Sequence, residues 1–297
     1  GHAVIRSPLI NGTRLENLGE TIGAFLAATL YASSDFALGS TAKRRLVTQF
    51  QNVELCDLTE ALILTEPFGP PPNRNNFLPG LQADLADLQA DVELRSAVAA
   101  LKHRFMTCGQ ALLHGDLHTG SVMGGAPDAR GHSDLRVIDS EFAFFGPMGF
   151  DVGLFLANLL LCAVSQAGHA PDPMACQHRR AYLKRQMRTC WTTFEGDFRR
   201  QLQGAASPSW REPGFQDDLL RSVLRDASGY AGCELIRRTV GFAHVPDYDS
   251  LEPEAARLAA GRQNLSLGRA LVLGAGGTHT YDDFERRAWI GLDGGEH

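Results

Sequence analysis

His114-Gly115-Asp116-Leu117-His118-Thr119-Gly120-Ser121 follows directly on the apolar run Ala111-Leu112-Leu113. A short apolar run that stops in a dense polar segment reads as a buried strand delivering polar side chains to its end. A carboxylate placed there can orient a hydroxyl and accept its proton during phosphoryl transfer, and Asp116 is the candidate for that base. Two other readings fit the same residues. They can form an exposed turn that happens to be rich in histidine. If the strand continues, His114, Asp116 and His118 alternate onto one face and bind zinc for a metal-dependent hydrolase.

Further along, Val137-Ile138-Asp139-Ser140-Glu141 ends a second apolar run with two carboxylates two positions apart. In extended backbone residues i and i+2 share a face, which makes Asp139 and Glu141 candidate ligands for Mg²⁺, a hard cation that bridges protein carboxylates to substrate phosphates. By itself this pair also reads as a solvated strand end. Two short strands joined by a turn bring the two segments together, and the combination means more than either part.

Around this centre the periodicity is helical. Leu15, Leu18, Ile22, Phe25, Leu26 and Leu30 recur at helical spacing behind a Thr13 and Glu16 capping-box pattern, which predicts a helix over 14–31. The same signal predicts helices over 42–50, 55–64, 81–88, 92–106, 152–165, 177–203, 216–244 and 254–273. Pro67-Phe68-Gly69-Pro70-Pro71-Pro72 breaks the pattern into a loop. Gly274-Ala275-Gly276-Gly277 lacks the full GxGxxG register and reads as a helix stop rather than a dinucleotide turn. No internal repeat or low-complexity segment interrupts the chain. The expected class is α+β, predominantly helical, with a few short central strands at Ala111-Leu112-Leu113, Ser121-Val122-Met123 and Leu135-Arg136-Val137-Ile138.

Composition sets the limits. A chain of 297 residues can bury a sizeable core, and a net charge of -6 without long runs of Lys or Arg argues against nucleic-acid or acidic-membrane partners. Cys56, Cys108, Cys162, Cys176, Cys190 and Cys233 form no CxxC pair and read as reduced, mostly buried thiols. The most apolar stretch, 152–164, carries Asn158 and is shorter than the roughly 20 residues a membrane span needs, so it is expected as a buried core helix. The chain opens on Gly1 without a secretory pattern, which predicts a cytoplasmic protein.

The two polar segments resemble the catalytic loop and metal-binding strand of aminoglycoside phosphotransferases and related kinase-like enzymes, whose motifs read HGDxHxxN and D-x-[DE]. Longer strings narrow the resemblance. His114 to Met123, EFAFFGPMGFD from Glu141 to Asp151, GCELIRRTVGFAH from Gly232 to His244, and Tyr31-Ala32-Ser33-Ser34-Asp35-Phe36 are similar to the methylthioribose kinases, over about residues 10 to 275.

That resemblance implies a protein-kinase-like fold and transfer of the ATP γ-phosphoryl group to the 1-hydroxyl of S-methyl-5-thioribose in methionine salvage, with Mg²⁺ as cofactor. Asp116 would be the base, Asp139 a Mg²⁺ ligand with Glu141 as the second, and Asp151 a structural acceptor for the catalytic loop. Ser121 stands on the cofactor side, where the wider group has a metal-binding Asn. Arg237 and Arg238 match an arginine pair that engages the phosphoryl group and the sugar, work suited to a planar, permanently charged fork. The competing reading of that pair is an ordinary surface feature with a Glu234–Arg238 bridge. Adjacent helical residues point about 100° apart, which predicts one arginine serving structure and the other chemistry. A homodimer is implied as the assembly. The resemblance begins at the hinge between kinase lobes, and no Gly-rich loop or strand lysine precedes Asp116. The expectation is therefore a C-terminal catalytic lobe over 1–297, with the N-terminal nucleotide-clamping lobe absent and little or no kinase activity in this chain by itself. Two alternatives stay open: another small-molecule hydroxyl kinase of the same type, and a non-catalytic sugar-binding remnant.

Overall fold

Apolar residues recurring at spacings of three and four form helices, and the short apolar runs of the middle form strands. The computed structural model describes residues 1–292. It opens with β1 (Ala3–Val4), α1 (Arg6–Ile10), α2 (Leu18–Ala32), α3 (Ser40–Gln49) and α4 (Val53–Leu64). There follow α5 (Gln82–Ala90), α6 (Val92–Thr107), β2 (Ala111–Leu112), β3 (Val122–Gly124), β4 (Leu135–Val137) and β5 (Phe145–Gly146). The remainder is helical: α7 (Gly149–His169), α8 (Pro173–Leu202), α9 (Pro213–Val240), α10 (Pro246–Asp249), α11 (Glu254–Gly274) and α12 (Tyr281–Ala288). The chain is thus mostly helical with a few short strands, as its patterning predicts.

Strand β3 is the centre of an antiparallel sheet ordered β1-β3-β4, and β2 pairs separately with β5. The register sets Val122 opposite Val137 and Leu112 opposite Phe145. Each polar segment therefore begins where a strand ends. Phe105, Phe144, Phe150 and Tyr230 pack ring on ring behind the β2–β5 pair and fix it to α6, α7 and α9.

Helix α7 is the core. Every residue from Gly149 to Gln166 is buried, as expected for a helix apolar on all sides. Its 21 residues make it long and apolar enough to cross a membrane, which corrects the expectation that this stretch is too short; here it is enclosed by α8, α9 and α11 of the same chain. Helix α9, which carries the arginine pair, lies backbone to backbone on α11. A Cβ on Gly232 would stand 2.4 Å from the Gly268 carbonyl oxygen, so only glycine permits that approach.

Some boundaries differ from expectation. Helix α2 starts at Leu18 rather than 14, and Thr13 and Glu16 form no capping box. Tertiary bonds claim this backbone instead: the Glu16 N–H donates to the Gly131 carbonyl at 2.8 Å, and Leu15 bonds the Tyr182 hydroxyl through both its N–H and its carbonyl at 2.9 Å. Strands β1 and β5 are two residues each and gave no periodic signal. Helix α12 was also unanticipated; it has a capping box from Thr280 and Asp283, with Asp in place of the commoner Glu. All six cysteines are free, with Cys162, Cys190 and Cys233 buried and the others half-buried.

Candidate active site

The polar segment after β2 is a loop held from below. Gly115 has φ +84°, and a Cβ there would lie 2.1 Å from the Phe142 carbonyl oxygen. Asp151, in the first turn of α7, accepts the His114 N–H at 2.6 Å and the Gly115 N–H at 3.0 Å. Burial pushes the Asp151 carboxyl up, against the pull of His114 and of these two N–H bonds. Asp151 thus anchors the loop through its backbone, the role the resemblance implies.

The zinc reading fails on this geometry. The strand stops at Leu112, so His114, Asp116 and His118 do not alternate on a strand face. His114 spends both ring nitrogens within the protein: Nδ1 accepts the Asp116 N–H at 3.3 Å, and Nε2–H donates to the Ile138 carbonyl at 2.8 Å. No lone pair remains for a metal. The second of these bonds ties the loop to the end of β4.

Asp116 faces three cationic or donor side chains. Its Oδ2 lies 3.3 Å from His118 Nε2, and its Oδ1 lies 3.5 Å from Arg237 Nη2 and 3.7 Å from Arg238 Nη2. Burial works against its charge. The hydrogen bond from His118 and the charges of Arg237, His118 and Arg238 outweigh it and hold the carboxyl well below the usual carboxylate range. Ser121 is buried, and its hydroxyl donates to the Asp116 carbonyl at 2.9 Å while lying 3.0 Å from His118 Nδ1. Its side chain braces the loop.

Both arginines are buried at the C-terminal end of α9, which corrects the surface-pair reading. Both also reach Asp116, so they do not point to separate places as the 100° spacing predicted. Glu234 is what draws them together, accepting Arg237 Nε at 2.5 Å and Arg238 Nε at 2.8 Å.

Asp139 and Glu141 are placed differently. The Ile138 N–H extends the ladder to the Ser121 carbonyl at 2.9 Å, so Asp139 leaves the sheet beside the catalytic loop. There it adopts φ +69°, a left-handed turn that Asp tolerates. The segment is therefore not extended, and the shared-face argument for Asp139 and Glu141 does not hold. Asn52 pins the turn, donating through Nδ2 to the carbonyls of Glu141 at 2.8 Å and Ala143 at 3.2 Å. Both carboxylates are exposed. Among the described residues no group of three His, Cys, Asp or Glu is arranged to hold a metal by itself. Two open carboxylates still suit Mg²⁺, which is ordinarily held by one or two protein carboxylates with phosphate oxygens and waters.

Asp116, Arg237 and Arg238 line one cavity of about 170 Å³. Gly115, His118 and Thr59 complete its polar side, while Leu58, Leu62, Ile63, Phe142 and Ala243 make the other side apolar. Asp139, Glu141 and Ser121 are not among its lining residues. A larger cavity of about 1000 Å³, where α7 gives way to α8, contains none of these convergent groups. Convergence of charged groups, not size, marks the smaller one. Sequence reasoning named the Glu234–Arg238 bridge, which the structure contains, but missed the bond from Glu234 to Arg237, Asn52, and the α4 wall. Leu58 and Leu62 at i,i+4 look like any core-facing helix stripe. Glu234 at three and four positions before the arginines was the one readable signal.

Comparison with known proteins places the chain in a family. No family profile matches the chain. It is 44% identical over 273 residues to the methylthioribose kinase of Yersinia pseudotuberculosis serotype O:1b, covering 92% of this chain and 65% of that protein. The methylthioribose kinase of Exiguobacterium sibiricum is 42% identical over 270 residues, covering 91% of this chain and 65% of the relative. That of Pectobacterium atrosepticum is 42% identical over 275 residues, 92% of this chain and 67% of the relative. The chain thus spans about two thirds of the length of the curated relatives it matches. Identity of this level along nearly the whole chain, with the HGD loop, the Asp139 turn and the paired arginines on its path, makes the chain a member of the methylthioribose kinase family.

Proposed function

We propose that the chain supplies the phosphoryl-acceptor side of an ATP-dependent kinase with a protein-kinase-like fold, acting on the 1-hydroxyl of S-methyl-5-thioribose in methionine salvage. The observation that carries the reading is the Asp116 carboxylate, kept charged and open to a cavity that it shares with Arg237 and Arg238. Family membership supplies the substrate. The apolar wall of Leu58, Leu62 and Phe142 suits a ligand with a thioether end.

In this reading the sugar hydroxyl donates its hydrogen bond to Asp116. A carboxylate held so far down is a weak base, so its first task is to aim the hydroxyl oxygen at the γ-phosphorus; it takes the proton late, when the new bond has advanced. The bond from the sugar oxygen to phosphorus forms, the bond from phosphorus to the leaving oxygen of ADP breaks, and the proton resides on Asp116. Arg237 and Arg238 bind the phosphoryl oxygens as they pass, in a buried setting where fixed charges act strongly. Asp139 and Glu141 are the residues that would hold Mg²⁺, which would neutralise phosphate charge. Their freedom from side-chain partners among the described residues and the Asn52 clasp on their turn support that role.

The test is a chimera in which this chain replaces the matching 273 residues of the Yersinia relative. Incubated with methylthioribose, ATP and Mg²⁺, it is expected to yield a sugar 1-phosphate signal by phosphorus NMR, with choline and homoserine left unreacted. A folded chimera that binds nucleotide yet phosphorylates a different alcohol would refute the substrate; one that binds the sugar without any transfer would refute the enzyme.

A further inference from the structure

Neighbouring residues on a helix diverge by about 100°, yet the two guanidinium groups at the end of α9 point the same way. Glu234 explains this. Spacings of three and four set it beneath both side chains, and its carboxylate is 0% exposed. It takes the Nε–H of each arginine, at 2.5 Å from Arg237 and 2.8 Å from Arg238, with a longer bond from Arg237 Nη2 at 3.2 Å. A guanidinium is a rigid plane, so holding it by its Nε–H edge fixes the direction of the whole plane, including the outward Nη2 N–H that Glu234 does not take. Those Nη2 atoms are the ones within 3.7 Å of Asp116. Glu234 is itself fixed by Asn158 of α7, whose Nδ2 donates to it at 3.2 Å. The Oδ1 of Asn158 accepts Arg6 Nη2 at 3.0 Å, and Arg6 pairs with Asp247 at 2.8 Å, so the support runs on through buried groups.

We infer that Glu234, held by Asn158, is a positioning residue that joins Arg237 and Arg238 into one two-pronged clamp for an anionic phosphoryl oxygen arriving beside Asp116. The nature of the anion rests on the kinase reading; the clamp rests on the geometry alone. A rival account gives Glu234 only the task of neutralising two buried cations. The two differ in sign. If Glu234 merely neutralises, an uncharged residue there leaves the cavity more positive and tightens anion binding; if it positions, the same change weakens binding.

The experiment compares the whole chain with Glu234→Gln in two readouts: calorimetry with methylthioribose 1-phosphate, and nitrogen-15 NMR of the arginine Nε–H groups. Positioning predicts at least a tenfold loss of affinity in Glu234→Gln. It also predicts that Glu234→Gln weakens binding further in an Arg238→Ala background, because Arg237 is still released, though by less than in the parent, and that the slowly exchanging Nε–H signals of Arg237 and Arg238 disappear. Equal or tighter binding by Glu234→Gln overturns the proposal. Should the parent chain bind no sugar phosphate, the kinase reading falls, and the Nε–H signals decide the clamp: lost in the variant, it stands; retained, it is wrong. If Glu234→Gln does not fold, Glu234→Asp serves, since it keeps the charge but is one methylene short of spanning both arginines. It should lose one protected Nε–H and bind more weakly, and parent-like behaviour in both readouts overturns the clamp.

Discussion

Arg237 Nη2 stands 3.5 Å from Asp116 Oδ1, close enough to keep the carboxylate charged and too far to saturate it. The His118 and Arg238 contacts, at 3.3 and 3.7 Å, are similarly long. Lone pairs therefore remain for an incoming hydroxyl. Asp116→Asn keeps the shape and removes the acceptor of the proton. In the active chimera, kcat for methylthioribose should fall by about 10²–10⁴-fold, the range for a lost general base. KM should change little. A kcat within tenfold of the parent would remove Asp116 from the chemistry.

The clamp also has a pH signature. Burial opposes the Glu234 charge, but the charges and hydrogen bonds of Arg237 and Arg238 outweigh it and hold the carboxyl down to about 2 from 4.5. A depressed carboxylate stabilises the fold above its unfolded pKa and loses that contribution as pH falls through the folded one. The window therefore runs from pH 4.5 down to about 2. Urea unfolding of the parent and Glu234→Gln should show a stability gap at pH 6 that narrows at pH 3 by on the order of 2 kcal/mol. A gap independent of pH would mean that the carboxylate is not ionised in the folded protein.

Beneath the loop, Asp151 accepts the buried N–H groups of both His114 and Gly115. Asp151→Ala leaves both buried donors unpaired, at a cost of about 2–4 kcal/mol. Amide exchange at His114 and Gly115 is expected to accelerate in the variant more than exchange in the α8 core. Uniform acceleration throughout would indicate global loosening instead of a released loop.

How much of this was legible follows from the range of the interactions. Long helices such as α8 and α11 declare themselves because their burial repeats within their own sequence. The Asp116 loop was legible because strand, turn and polar cluster are contiguous. Helix α2 was misjudged at its start because Tyr182, far along the chain, takes the backbone that a capping box would have used. The Asp139 turn was misjudged as strand because one left-handed residue, at φ +69°, is invisible to an alternation argument. The joint aim of Arg237 and Arg238 was missed for a related reason: backbone geometry separates them, and a third side chain reunites them.

Asn52 tests the proposed metal turn without touching its carboxylates. Its side-chain amide holds the Glu141 and Ala143 carbonyls, so Asn52→Ala frees the turn and leaves Asp139 and Glu141 chemically intact. In the chimera, half-maximal activity should require several-fold more Mg²⁺, with full rate recovered at saturation. Asp139→Ala should not recover at any Mg²⁺ concentration. Unchanged Mg²⁺ dependence in both variants would take the ion elsewhere.

Gly115 gives the sharpest link between backbone and chemistry. At φ +84° an L side chain is strained, and its Cβ would press within 2.1 Å of the Phe142 carbonyl, a backbone atom that cannot rotate aside. Gly115→Ala therefore costs about 1–2 kcal/mol in backbone conformation alone. Relieving the contact displaces either the loop that carries Asp116 or the segment that carries Phe142, and both line the cavity. A shift of 1 Å is enough to cost a reaction that depends on alignment about 10²-fold. Turnover should consequently fall much further than stability, whereas a core substitution such as Phe150→Ala, costing about 3–5 kcal/mol, should show the reverse order at permissive temperature. Kinetics and urea titration on the two variants side by side decide the matter: if Gly115→Ala loses stability as Phe150→Ala does and keeps its rate, the glycine serves the fold and not the placement of Asp116.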